Sequence, residues 1–162
     1  MIDIIVNIIS HLVVGIITGL LGFWIGNKFA IGRDKRKEFN QAAAAFTNKV
    51  LVELEGLYPI PTNWPKDIDR FLRDRFPKLQ VAINEFKSYL TEDQQIAFET
   101  AWFIYRLGED GREVDKQSYW QYMPFKGSSK FDGVEVEFDN TKTYQVKFKR
   151  NVDNLLEYAK QK

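Results

Sequence analysis

The sequence contains no cysteine and only one histidine, His11, and these two shortages exclude several classes of protein. Without cysteine, the chain cannot form disulfides, thiolate zinc sites, iron–sulfur clusters or a cysteine nucleophile. The single histidine excludes a multi-histidine metal centre within one chain and argues against serine–histidine hydrolysis. We therefore expect neither a metal site nor a cofactor, and we expect a protein that is not an enzyme.

An excess of positive charge is also missing. The 162 residues include 23 Lys and Arg against 22 Asp and Glu, which gives a formal net charge of +1. Proteins that bind nucleic acid usually carry a clear basic excess, so no direct nucleic-acid binding is expected. The length is that of one domain, which argues against a multidomain enzyme.

Charged residues are absent from the segment between Ile4 and Ile25. At a rise of about 1.5 Å per residue, a helix of this length covers the ~30 Å hydrocarbon core of a bilayer. The pattern predicts a transmembrane anchor over residues 1–27, followed by a cytoplasmic helical domain over residues 28–162. One alternative is a buried core helix. Another is a cleaved signal peptide. A signal peptide has basic residues before its apolar run, whereas here the acidic Asp3 precedes it.

Five cations follow the apolar run: Lys28, Arg33, Lys35, Arg36 and Lys37. Because positive charge favours the cytoplasmic side, these residues predict an N-terminus outside and a C-terminal domain inside the cell. The same side chains can bind anionic lipid headgroups. Membrane lipid is therefore an expected partner.

Small and polar residues share one face of the predicted membrane helix, within an arc of about 120°. They are Asn7, His11, Gly15, Thr18, Gly19, Gly22 and Gly26. Glycines four residues apart let helix backbones approach closely, so this face predicts a homo-oligomer. The alternative is that the same face lines a pore, with His11 as its titratable group.

Beyond the predicted anchor, apolar residues recur at helical spacing. The first series is Phe39, Ala43, Phe46, Val50, Leu54 and Leu57. Gly56 and the prolines that follow should end this helix, and Asn63 or Thr62 should cap the next one, which Pro77 kinks or restarts. Thr91 and Gln94 match a capping box at the start of a third helix, closed by Gly108.

The C-terminal region supports two readings. Residues 133–138 alternate like a short strand, and residues 141–160 predict a final helix capped by Asn140. Alternatively, Tyr144, Val146 and Phe148 form a second strand in a hairpin with residues 134–138. The longer helical period favours the helix. The predicted fold is mainly α: a helical bundle with at most one short strand or hairpin.

Two clusters in this region carry possible chemistry. Carboxylates occur at Glu109, Asp110, Glu113, Asp115, Asp132 and Asp139. The first four indicate a solvated acidic loop, and the last two flank the predicted strand. The alternatives are an oxygen-ligand site for Mg²⁺ or Ca²⁺ and an enzyme that uses carboxylates alone. Aromatic residues occur at Tyr119, Trp120, Tyr122 and Phe125, beside Pro124. We expect these aromatic side chains to be core residues, with a partner-binding surface as the alternative.

The stretch from Gly26 to Asn40, GNKFAIGRDKRKEFN, resembles that of a group of small uncharacterised bacterial single-pass membrane proteins. The closing KRNVDNLLEYA resembles their C-terminal helix. The resemblance implies a bacterial protein of the inner membrane and brings no activity. In layout alone, the chain is similar to membrane-pore accessory proteins of RNA-targeting CRISPR systems. Those proteins carry a HEPN-like bundle, and the HEPN nuclease motif includes a histidine. This chain has no histidine after His11, so it lacks that motif.

Two functions follow as hypotheses. The first is a non-catalytic, membrane-anchored protein that self-associates through its transmembrane helix and presents a cytoplasmic helical domain to an unknown protein partner. The second is an oligomeric pore-forming or membrane-depolarising effector, for example one that acts in phage defence. Both depend on residues 4–25 lying in lipid.

Overall fold

The fold is described from a computed structural model, which covers residues 32–109, 119–131 and 134–160. The predicted anchor over residues 1–27, its small-residue face and Lys28 lie outside the described residues. The chain divides into two units, with the boundary between Phe39 and Asn40. Of the first unit, residues 32–39 are described and are helical. All packing reported below belongs to the second unit.

The described chain is mainly helical, as the sequence predicted. Residues 32–53 are helical and are named α1. The elements that follow are α2 (Ile68–Lys87), α3 (Glu92–Leu107), a 3-10 turn (Trp120–Tyr122), β1 (Lys126–Phe131), β2 (Val134–Asp139) and α4 (Tyr144–Glu157). Across these described ranges, no helix combines the length and the apolar character needed to cross a bilayer.

The core of the second unit contains a cluster of phenylalanine rings from three helices. Phe46 of α1 stacks on Phe86 of α2, with ring centroids 4.7 Å apart. Phe98 of α3 meets both rings edge-on, at 5.6 Å from Phe46 and 5.7 Å from Phe86. All three side chains are buried, so each contributes about 1.5–3 kcal/mol of apolar burial to folding. The helical series from Phe39 to Leu57 therefore correctly predicted the buried face of α1 that includes Phe46, whereas the series read for the third helix included the exposed Ile96 and missed Phe98.

Polar contacts fix the helices beside this core. The indole Nε1 of Trp102 on α3 donates a hydrogen bond to Oε1 of Gln80 on α2, at 3.0 Å. Lys49 of α1 pairs with Glu85 of α2 at 2.6 Å. The indole bond satisfies a donor that would otherwise be buried unpaired, whereas the exposed ion pair adds little.

The helix boundaries confirm one predicted cap and correct another. Oε1 of Gln94 accepts hydrogen bonds from the backbone and hydroxyl of Thr91, so the predicted capping box is present. The prediction that Asn63 or Thr62 caps α2 is wrong. Asp67 is the cap, and its carboxylate accepts a hydrogen bond from Arg70 N at 2.9 Å. The backbone of residues 62 and 63 instead turns back and donates to the carbonyl of Gly56.

Pro77 does not restart α2 as a second helix, because residues Ile68–Lys87 form one helix with Pro77 inside it. The helix tolerates the proline by losing one backbone hydrogen bond. Buried side chains on both sides of it, among them Leu72 and Leu79, keep the helix packed against the core.

The C-terminal region contains both a hairpin and a helix. β1 pairs antiparallel with β2, and the register runs from Lys126 opposite Asp139 to Phe131 opposite Val134. The predicted strand over residues 133–138 and the preferred final helix are thus confirmed. The alternative strand over residues 144–148 is wrong, because that segment is the start of α4.

The prediction that Asn140 caps the last helix is wrong. α4 begins three residues later than expected, after Thr143, which makes no side-chain cap. The backbone carbonyl of Asn140 accepts hydrogen bonds from Thr143 and Tyr144, while its side chain points to another segment. That segment forms one wall of the site described next.

Candidate functional site

A concave surface of about 640 Å³ lies between the segment before β1 and the start of α4. We call it the aromatic groove. Its lining residues are Trp120, Gln121, Met123, Pro124, Phe125, Asp139, Asn140, Thr143, Tyr144 and Lys147. Most of the lining surface is apolar, although five of these ten residues have polar or charged side chains. This is the usual composition of a binding site for a small ligand or a peptide side chain.

Three large apolar side chains of the groove are open to solvent. Trp120 is 60% exposed, Phe125 54% and Met123 40%. In contrast, the interleaved Tyr119 and Tyr122 are fully buried. The expectation that the aromatic cluster belongs to the core is therefore right for the two tyrosines and wrong for Trp120 and Phe125.

The buried tyrosines hold the groove segment against the helices. The hydroxyl of Tyr122 donates to the carbonyl of Tyr105 on α3 at 2.8 Å, and Asn151 of α4 donates to the same hydroxyl at 2.9 Å. Burial strongly raises the pKa of Tyr122, which keeps the hydroxyl protonated as a donor. These two hydrogen bonds hold the Tyr122 side chain in the core, and Trp120, two residues earlier in the same turn, faces solvent.

Hydrogen bonds to α2 and α3 also fix the turn that contains Trp120. The side-chain amide of Gln121 donates to the carbonyls of Ile104 and Tyr105, each at 3.0 Å, in the last turn of α3. The backbone N–H of Tyr119 donates to the carboxylate of Asp69 on α2 at 2.9 Å. The carbonyl of Tyr105 is one of the last four of α3, which a helix leaves without intrahelical N–H partners, whereas the carbonyl of Ile104 also accepts from the N–H of Gly108.

Asn140 holds the groove's two walls together. Its side-chain Oδ1 accepts a hydrogen bond from Phe125 N at 2.6 Å, and its Nδ2 donates to the carbonyl of Met123 at 2.9 Å. Its backbone N–H donates to the carbonyl of Phe125 at 3.1 Å. One residue at the end of β2 thus positions the segment that carries the exposed side chains.

The ring of Phe125 lies over Gly127, which has no side chain to displace it. A Cβ atom built on Gly127 would lie 2.8 Å from Cζ of Phe125, well inside van der Waals contact. Glycine at position 127 therefore sets where the Phe125 ring lies.

Two of the lining residues are charged, and their surroundings differ. Asp139 accepts hydrogen bonds from the backbone and hydroxyl of Thr141 and lies 3.8 Å from Lys126. The hydrogen bonds from Thr141 lower the pKa of Asp139. Lys147 makes no ion pair with any residue that the structure describes. The groove thus presents one carboxylate that already has partners and one ammonium group available to a ligand.

The sequence-predicted basic run is helical and exposed. Arg33, Lys35, Arg36 and Lys37 all lie on the described part of α1 within the first unit. All four side chains are open to solvent. The small-residue face from Asn7 to Gly26 and Lys28 lie outside the described residues.

Within the described residues, the carboxylates named from the sequence do not come together in one site. Glu109 pairs with Arg150 of α4 at 2.6 Å, and Asp139 lines the groove. Asp110, Glu113, Asp115 and Asp132 lie outside the described residues. Within the described ranges, no group of three acidic or histidine side chains is placed to hold a metal ion.

Sequence reasoning missed the second wall of the groove, which consists of Asn140 and Thr143 before α4 and of Tyr144 and Lys147 on it. The sequence pattern assigned Asn140 to a helix cap and Tyr144 to a helix or, alternatively, to a strand. No local pattern joins these residues to the aromatic residues some twenty positions earlier. Only the tertiary hydrogen bonds of Asn140 bring them together.

No protein-family model, curated protein or solved structure matches the chain. Its function is therefore inferred from its own residues. The groove supplies aromatic faces, a thioether and one ammonium group, which are groups that bind ligands without covalent chemistry.

Proposed function

We propose that this chain is a single-pass, membrane-anchored, non-catalytic protein that self-associates through its N-terminal helix. Its helical unit presents the aromatic groove to a protein partner in the cytoplasm. A bacterial inner-membrane location, with the N-terminus outside, follows from the same reading of the sequence.

The observation that carries the partner-binding part is the exposure of Trp120, Met123 and Phe125 on one concave surface. Exposed apolar side chains that occur singly need no explanation, but a group of them around a groove marks an interaction site. The hydrogen bonds of Asn140 and the burial of Tyr122 hold this group in place. A prearranged surface loses less conformational entropy when a partner binds.

The membrane part of the proposal rests on the sequence. The uncharged run from Ile4 to Ile25 is long enough to span a bilayer, and basic residues follow it on one side only. The glycines at positions 15, 19, 22 and 26 share a face that suits close helix packing. Self-association through that face would bring several grooves together and increase the avidity for a multivalent partner.

The test is the oligomeric state of the full chain in mild detergent, measured by light scattering. Replacing Gly15 and Gly19 with leucine should convert the oligomer to a monomer, because the larger side chains keep the helix backbones apart. The matched control replaces Ile16 and Ile17, which lie off the glycine face, with leucine and should leave the oligomer intact. A wild-type chain that is monomeric, or a Gly15→Leu/Gly19→Leu chain that stays oligomeric, contradicts this mode of association.

The polar residues Asn7 and His11 on the glycine face favour a second candidate, the depolarising pore. Only a pore predicts that expression of the chain lowers the membrane potential and that His11→Leu alters the leak. A potential-sensitive dye in expressing cells separates the two functions. An unchanged potential at high expression supports the anchored binding protein and contradicts the pore.

A further inference from the structure

We propose that the aromatic groove binds an acidic peptide segment of a partner protein, with one large apolar side chain of that segment inserted between the groove's walls. This inference rests on the proposed function and gives the chemistry of the partner.

The shape of the groove favours insertion of a side chain. Trp120, Met123 and Phe125 form one side, and Thr143 and Tyr144 of α4 form the other. The volume of about 640 Å³ lies within the range of pockets that enclose a ligand. A flat membrane surface would meet the rims of this concavity but not fill it. A projecting leucine, phenylalanine or tryptophan side chain would cover the exposed faces of Trp120 and Phe125.

The charge of the groove favours an acidic segment. Lys147 lines the groove and makes no ion pair within the described chain, and Lys142 lies exposed in the turn between Asn140 and Thr143. The lone carboxylate, Asp139, is already held by Thr141 and faces Lys126. A partner carboxylate near Lys147 therefore gains a favourable interaction, whereas a basic partner would face Lys147 and Lys142 and a carboxylate that already accepts hydrogen bonds from Thr141. Such complementarity fixes the choice of partner and accelerates its association.

The other positive charges on α4 are less available. Lys149 pairs with Asp153 at 2.7 Å, and Arg150 pairs with Glu109 at 2.6 Å. Their charges are locally balanced, so the unbalanced positive charge on this helix lies at its groove end. We therefore expect Lys147 to contribute more than Lys149 to the electrostatic part of peptide binding.

The experiment is a selection from a display library of random twelve-residue peptides, with the full chain immobilised in mild detergent. Enriched peptides are then synthesised, and their Kd values are measured by fluorescence anisotropy against wild type and variants. We expect enriched peptides to combine Asp or Glu with a large apolar residue. Trp120→Ala and Lys147→Glu should each weaken binding at least tenfold. Gly127→Ala should weaken it several-fold, because the added methyl displaces the ring of Phe125 without changing a lining residue.

Matched controls are Tyr89→Ala, which removes another half-exposed aromatic side chain, and Lys66→Glu, which reverses an exposed charge elsewhere. Both should bind like wild type. Circular dichroism of each variant excludes loss of the fold as the cause of weak binding.

Three results would overturn the inference. The first is that the wild-type chain enriches no peptides beyond those that the Trp120→Ala chain enriches. The second is that the enriched peptides contain no acidic residues, or that they bind Lys147→Glu as tightly as they bind wild type. The third is that vesicles containing phosphatidylglycerol bind through Trp120 while peptides do not, which would make the groove a lipid contact. Light scattering tests membrane-helix self-association separately, so failure of the peptide inference would leave the anchored, self-associating part of the proposed function intact.

Discussion

The hydroxyl of Tyr58 donates a hydrogen bond to Oδ1 of Asp153 at 2.7 Å and so joins the loop after α1 to α4. Lys149 donates to the other oxygen of the same carboxylate, also at 2.7 Å. Desolvation and the carboxylate raise the pKa of Tyr58 to about 12. Burial acts to raise the pKa of Asp153, but the hydrogen bonds from Lys149 and Tyr58 outweigh it and lower that pKa.

These shifts predict how the contribution of the Tyr58–Asp153 bond depends on pH. Because the folded pKa of Tyr58 is raised above 10.0, the stabilisation is present below pH 10 and is lost as pH rises through about 12. Because the pKa of Asp153 is lowered, its contribution is present above its unfolded value of about 3.9 and is lost as pH falls below it. At pH 7, Tyr58→Phe should lower the free energy of unfolding by about 1 kcal/mol.

The measurement is the difference in the free energy of unfolding between wild type and Tyr58→Phe across the pH range. That difference should be constant between pH 6 and 9 and shrink on both sides of this window. A difference that grows above pH 10 would show that the hydrogen bond does not hold the Tyr58 proton.

The register of α4 gives a second prediction. Phe148 is fully buried against Trp64, Tyr105 and Tyr122, whereas Val146 is 68% exposed. Phe148→Ala should lower the free energy of unfolding by about 3–5 kcal/mol. Val146→Ala should change it by less than about 0.5 kcal/mol. Chemical denaturation of both variants measures these changes. In a strand, residues 146 and 148 would lie on the same face, so similar losses of unfolding free energy in Phe148→Ala and Val146→Ala would contradict the helix.

A third prediction concerns the end of α3. Gly108 has φ +86°, and a Cβ built on it would lie 3.0 Å from Oε1 of Gln121. Gly108→Ala should therefore lower the free energy of unfolding by about 1–3 kcal/mol, through backbone strain and displacement of Gln121. Gly32 is helical with open space around it, so Gly32→Ala should not destabilise the chain. Thermal unfolding of the two variants side by side checks this contrast, and equal melting temperatures would contradict it.

The buried hydroxyl of Tyr122 gives a fourth prediction. Tyr122→Phe leaves the donor group of Asn151 and the carbonyl of Tyr105 without this partner in the core. The expected loss is about 1–3 kcal/mol in the free energy of unfolding. Tyr89→Phe removes a hydroxyl from a half-exposed ring and should have an effect within about 0.5 kcal/mol. Urea titration of both variants measures the two losses, and a Tyr122→Phe chain as stable as wild type would overturn the role of this network.

Local patterns predicted the parts of the fold that local physics determines. The three- and four-residue spacing of Phe46 and Val50 identified a buried helix face, and Thr91 with Gln94 marked the start of α3. These features depend on residues within one or two helical turns of each other. The preference for a final helix over a second strand followed from the same spacing around Phe148 and Val152.

The features missed by sequence reasoning depend on residues far apart in the chain. β1 contains Gly127, Ser128 and Ser129, which show no alternation of apolar and polar residues, so only pairing with β2 makes it a strand. Asn140 resembled a helix cap, but its side chain finds partners at Met123 and Phe125 instead. The aromatic groove was only the alternative interpretation of the aromatic cluster, because the sequence does not show whether Trp120 or Tyr122 is buried. The contacts of Tyr122 with Tyr105, Phe148 and Asn151 decide it.

Insertion of residues 4–25 in the membrane is tested most directly by labelling single introduced cysteines, because the sequence has no native cysteine that would react as well. Asp3→Cys and Lys37→Cys are each treated in cells with a maleimide that cannot cross the inner membrane, before and after the membrane is permeabilised. The proposal predicts that position 3 is labelled in intact cells and that position 37 is labelled only after permeabilisation. Equal labelling of both positions in intact cells, or of neither until the membrane is opened, would contradict a single span with the N-terminus outside.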